Sequence, residues 1–160
     1  MIVTLYANQS FGREAVGIFN PGAPFLSDLN LIFQLAIAIF LMLAMFAIVK
    51  RKYAIHGAIM GCCIVLNTIS IFAIMVPSLL KLDGLINGLS TRLSLLIVTH
   101  AIVGSVVEIL GILLVAAWVY NRASVDNCFK RKHLMEATII LWILELILGL
   151  LLYMTLYPFA

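Results

Sequence analysis

The sequence predicts an all-α integral membrane protein, a four-helix bundle whose helices run up-down-up-down across the bilayer. Two observations carry this. Hydrophobic residues make up 64% of the 160 residues and charged ones only 11%, whereas a soluble domain has roughly 25% charged and 45–50% apolar residues. Too little polar surface is left to cover a water-facing globule, so lipid has to cover it. The apolar residues also fall into four segments, each reaching the roughly 20 residues that a helix needs to cross about 30 Å of hydrocarbon. Helices suit this setting because each satisfies its backbone hydrogen bonds internally.

Residues 1–28 are expected to form a separate N-terminal segment, broken by Pro21, Gly22 and Pro24. Within it Phe11, Ala15, Ile18 and Phe19 recur at helical spacing and predict a short interfacial helix. Asn8-Gln9-Ser10 has the form of a glycosylation sequon. Met1 to Leu5 is apolar but too short, and lacks the basic start, for a cleaved signal, so the segment is expected to be retained. Residues 29–160 form the transmembrane domain, with spans at about 29–49, 53–80, 93–120 and 133–157. Pro77 lies near the end of the second. Lys81 to Arg92, with Gly84 and Gly88, reads as a loop.

Orientation follows from charge. Lys50, Arg51, Lys52, Arg122, Lys130, Arg131 and Lys132 follow spans one and three, while only Arg13, Lys81 and Arg92 lie on the other side. Basic loops stay in the cytoplasm, so both termini are expected on the extracytoplasmic face of the plasma membrane. The net charge of +3 gives no support to nucleic-acid binding. Cys62 and Cys63 sit in an apolar run and Cys128 in a basic loop. Without a C-x-x-C pair, neither a zinc site nor a disulfide frame is expected.

Polar residues inside the spans mark the faces that pack inward, because a mid-span charge costs roughly 2.5–3.5 kcal/mol against lipid. His56, Met60, Cys63, Asn67 and Ser70 form one continuous face of span two. His100, Gly104, Glu108 and Gly111 share an arc of about 80° on span three, and Thr138, Trp142, Glu145, Gly149 and Tyr153 a similar arc on span four. Span one adds Asn30 and Gln34. Glu108 lies 12 residues from Tyr120, and Glu145 lies 12 from His133. Both are then about 18 Å from the cytoplasmic boundary. Gln34, Asn67, Glu108 and Glu145 therefore predict one polar layer near the midplane. Such a layer is structural glue, a proton, ion or metal site built on the two carboxylates, or a place where one glutamate meets a partner subunit.

His56 and His133 both fall near the cytoplasmic face, on different helices, while His100 lies nearer the other side. Two histidines at one level could ligate a haem iron, or both could be interfacial residues at headgroups and helix ends.

The pattern Lys52-Tyr53-Ala54-Ile55-His56, Thr99-His100-Ala101-Ile102 and Lys130-Arg131-Lys132-His133, followed by Gly149 to Tyr153, resembles the small four-span prokaryotic membrane family of unknown function numbered 420. The resemblance covers about residues 29–157. It implies a role in assembling haem-copper terminal oxidases, or a kinship with four-helix b-type cytochromes. It implies haem b as the cofactor, His56, His100 and His133 as cofactor-binding residues, and Gly149 and Tyr153 as packing support. Glu108, Glu145 and the short loop between spans two and three stand outside that pattern. The first expectation is thus a respiratory or haem-related assembly protein that binds haem through His56 and His133. The alternative is a non-catalytic accessory subunit packed against other membrane subunits. The third is a small proton or ion conduit using Glu108 and Glu145. No phosphate loop, nucleophile elbow or zinc-protease motif occurs, so enzymatic activity is not expected.

Overall fold

The computed structural model describes residues 17–19, 21–82, 91–120 and 130–158. Four helical passes are each long and apolar enough to cross a bilayer. They comprise α1 (Phe25–Val49), α2 (Tyr53–Ser70) continued by a π-helical turn (Ile71–Met75) and α3 (Val76–Leu82), then α4 (Thr91–Tyr120) and α5 (Lys132–Leu156). No β-strand occurs among the described residues. The chain is a multi-pass helical membrane protein with large apolar side chains, such as Leu35, Phe46, Phe72 and Ile140, on its outer surface.

The first pass starts four residues before its expected start at Leu29. Pro24 stands at the N-cap, where its fixed φ suits a helix entrance and its missing N–H costs nothing. Asp28 in the first turn faces the positive end of the helix dipole. Ile18 and Phe19 lie in a non-helical stretch. Phe11, Ala15, the Asn8 sequon, Cys128 and most of the Lys81–Arg92 loop fall outside the described residues.

The turn between α1 and α2 is three residues long. The Arg51 amide donates to the Ile48 carbonyl at 2.8 Å and the Lys52 amide to the Ala47 carbonyl at 2.9 Å. Arg51 adopts φ 56°. This is the Schellman ending, in which one left-handed residue lets two amides satisfy the last carbonyls. The three positive charges sit at the negative end of the α1 dipole.

The π-helical turn has a local cause. Pro77 cannot donate to Ala73, and its ring crowds the carbonyl four residues back. The widened turn re-routes the bonding, and the Val76 amide donates to the Ile71 carbonyl.

α1 packs on α2 and α4 on α5; α2 against α4 joins the two hairpins, and a lighter α1–α5 contact closes the ring. Two glycines set the α2–α4 approach. A methyl added at Gly57 would land within the Trp118 indole, and one at Gly111 would meet the Ile64 side chain. Ile37, Leu41, Cys63, Ile64, Val107 and Trp142 form the buried apolar centre.

Candidate functional site

The predicted inward faces of α2, α4 and α5 are the buried ones: His56, Cys63, Asn67 and Ser70; Gly104, Glu108 and Gly111; Thr138, Trp142, Glu145 and Tyr153. Three polar clusters result, at different heights.

The first joins the start of α1 to the end of α5. Asp28 is fully buried. It accepts from the Phe19 amide at 2.7 Å and from the Tyr153 hydroxyl. Tyr157 packs on Tyr153 with ring centroids 5.4 Å apart, and its hydroxyl lies 3.4 Å from Ser27 Oγ. Sequence reasoning missed Asp28 by assigning it to the N-terminal segment. The signal was there: an acid four residues after a proline is a helix-start pattern.

The second cluster is the midplane layer. Gln34 Nε2 donates to Asn67 Oδ1 at 3.1 Å, and Asn67 Nδ2 donates to Glu108 Oε2 at 2.9 Å. One turn nearer Asp28, Ser70 Oγ donates to Asn30 Oδ1 at 2.5 Å. The Thr68 hydroxyl contacts Glu108 Oε1 and also lies 2.8 Å from the Ile64 carbonyl. It has one hydrogen, so it serves one acceptor at a time. Thr68 was not anticipated, because a threonine can satisfy itself on its own helix and so carries no clear signal.

Glu145 is 2% exposed. Its carboxyl lies against Gly104, where an added methyl would be 3.2 Å from Oε1. Gly104 is one turn from Glu108, so the two glutamates are offset by about a turn rather than level. Side chains lean toward their own helix N-terminus, and α4 and α5 run antiparallel. The two carboxyls therefore lean toward each other, and Glu145 sits within electrostatic reach of Glu108. A turn further out, His100 packs on Gly149, where an added methyl would be 3.2 Å from Cε1. Its ring faces the Glu145 backbone carbonyl.

The third cluster lies at the basic-loop end. His56 is 4% exposed, and its Nδ1 lies 3.0 Å from the Ala44 carbonyl. A carbonyl only accepts, so Nδ1 carries the hydrogen, and Nε2 of the neutral ring keeps a free lone pair. Nε2 has no hydrogen-bond partner among the described residues. The ring borders a partly open, mainly apolar cavity of about 60 Å³ between α2, α4 and α5, lined also by Met60, Trp118, Arg131, Met135 and Thr138.

His133 does not join it. Its side chain is 97% exposed, and its Nδ1 lies 3.4 Å from Glu136 Oε2. The structure thus brings Gln34, Asn67, Glu108 and Glu145 into one neighbourhood but keeps His56, His100 and His133 apart. No group of three metal-ligating side chains occurs among the described residues.

The fold and these clusters define a class: a multi-pass α-helical membrane bundle with a polar interior on one half and an apolar pocket at the opposite end. No protein-family model matches the chain, and no curated protein or solved structure is found similar to it.

Proposed function

We propose that this protein holds haem transiently at His56 and passes it on during assembly of a respiratory membrane enzyme. The observation that carries the reading is the His56 tautomer. One ring nitrogen is tied to a backbone carbonyl and the other is left as a lone pair beside an apolar pocket, which is how metal-ligating imidazoles are commonly oriented. Arg131 at the rim supplies a cation for a carboxylate-bearing ligand. Haem itself would supply only the redox chemistry of the enzyme that receives it.

The pocket offers one imidazole, not two. His133 is directed away from the pocket, and a cavity of about 60 Å³ has room for a few waters rather than a macrocycle. His56 would be the one imidazole to hold the group, with Arg131 beside its carboxylates. That favours hand-over above permanent electron carriage. The apolar centre between the glutamates and His56 gives no support to through conduction.

The test is haem titration of the purified protein. A Soret band of five-coordinate, high-spin character is expected, lost in His56→Ala and retained in His133→Ala. No haem binding, or equal loss in both variants, would refute the reading. The positive-inside count supports both basic loops lying in the cytoplasm. An impermeant maleimide should then reach Cys128 only after permeabilisation of the plasma membrane.

A further inference from the structure

A second property of the bundle is carried by buried polar atoms that have no partner. Glu145 Oε2, Gln34 Oε1 and His100 Nδ1 are all fully enclosed, on three different helices, and none has a hydrogen-bond partner. Buried polar groups are almost always satisfied by protein or by ordered water. Gln34 has already committed its amide nitrogen to Asn67, so its oxygen can only accept. His100 directs its ring toward the Glu145 carbonyl, a contact that needs the hydrogen on Nε2 and leaves Nδ1 an acceptor. What is lacking at these atoms is therefore a source of hydrogens, and water is the small molecule that supplies them.

These three acceptors lie on one side of the bundle; two further enclosed atoms without a partner, the donors Trp142 Nε1 and Trp118 Nε1, lie at the apolar centre and beyond it. From the Asp28 end, polar side chains follow one another inward: Asp28 with Tyr153, then Asn30 with Ser70, then Gln34, Asn67, Thr68 and Glu108. Glu145 and His100 flank them. The series stops at Ile37, Leu41, Cys63, Ile64, Val107 and Trp142. His56 lies seven residues beyond Cys63, about 10 Å along the helix. The titratable groups along the column are Asp28, Tyr153, Tyr157, His100, Glu145 and Glu108. α2 contributes the neutral side chains of Asn67, Thr68 and Ser70.

We propose that buried waters occupy the Asp28 half of the bundle and make Glu108 and Glu145 a proton-binding site that exchanges with that face of the membrane alone. The partnerless Glu145 oxygen is where the water binds, and the apolar centre is the seal. The ligand is a proton carried by water; no oxidant, metal or second protein is needed. Proton movement is hopping along hydrogen bonds: a water donates to a carboxylate oxygen, and its own proton is replaced from the next donor toward Asp28.

Two measurements test this on the full chain in lipid vesicles. The first is infrared spectroscopy of the wild-type protein, with Glu108→Gln and Glu145→Gln used only to assign the carboxyl bands. Transfer to heavy water should shift the assigned bands within seconds. Bands still unshifted after an hour would overturn the proposal. The second uses silver ion, a water-sized thiol reagent, on a Cys62→Ser, Cys128→Ser background in vesicles of both orientations. Gln34→Cys should react at least tenfold faster from the Asp28 face than from the other, while the native Cys63 should react slowly from both. Equal rates from the two faces, or fast reaction at Cys63, would remove the seal and with it the sidedness. Both results are independent of haem binding at His56.

Discussion

Replacing Asn67 by leucine removes a side chain that connects three passes. Asn67 accepts from Gln34 Nε2 at 3.1 Å and donates to Glu108 Oε2 at 2.9 Å, and it is 0% exposed. Leucine keeps the branched outline but is larger by about two methylenes, so some overpacking adds to the polar loss. Two buried groups are orphaned. In a soluble core each would cost about 1–3 kcal/mol. Inter-helix bonds in membranes average only about 0.6 kcal/mol, with model peptides nearer 1–2, because the membrane-unfolded state also finds partners. The expected loss is therefore about 1–4 kcal/mol, most of it at Glu108, which retains only Thr68. Reversible unfolding in bicelles measures it. A double-mutant cycle with Glu108→Leu, which removes the acceptor, should give a coupling of at least about 0.5 kcal/mol. Asn67→Leu within about 0.5 kcal/mol of the wild type, or zero coupling, would show that these contacts do not hold the bundle.

Further outcomes follow from the same geometry. Glu108→Gln and Glu145→Gln should fold at near wild-type yield, whereas Glu108→Leu should lose yield because it strands Asn67; size-exclusion yield in mild detergent decides. Gly57→Ala should destabilise by about 1–2 kcal/mol, since overlap with Trp118 outweighs the roughly 1 kcal/mol gained in helix propensity, and Trp118→Leu should restore it. Arg51→Gly should stabilise by about 1 kcal/mol, because glycine takes the left-handed φ without steric cost; thermal unfolding reads both. Asp28→Ala orphans the Phe19 amide and the Tyr153 hydroxyl and should cost more than Tyr153→Phe, at about 2–4 against 1–2 kcal/mol.

The helical passes were legible because hydropathy and length are summed over some 20 residues, so single side chains hardly perturb them. The inward faces were legible because a polar residue in lipid is expensive; Asn67, Glu108 and Glu145 had few other places to go. The offset of the two glutamates was not legible, since counting from a basic boundary carries an error of a few residues and ignores the tilt of each side chain. The pairing of His56 with His133 rested on height alone. Height says nothing of azimuth, and His133, at the start of α5, turns outward to Glu136. Pro77 was visible, but a π-helical turn is one of several ways a helix accommodates proline.

The bond between Asp28 and Tyr153 spans 125 positions of sequence. During synthesis at 5–20 residues per second, Asp28 would wait roughly 6–25 s for its tyrosine to appear. Until then the Phe19 amide, nine residues upstream, is already there for the carboxylate, and water and headgroups serve the oxygen that the tyrosine later takes. The fourth pass therefore arrives long after the first has been made, and the ring of helices closes only once Tyr153 has been added. Timing of translation, as much as the final contacts, decides when this protein becomes a sealed object.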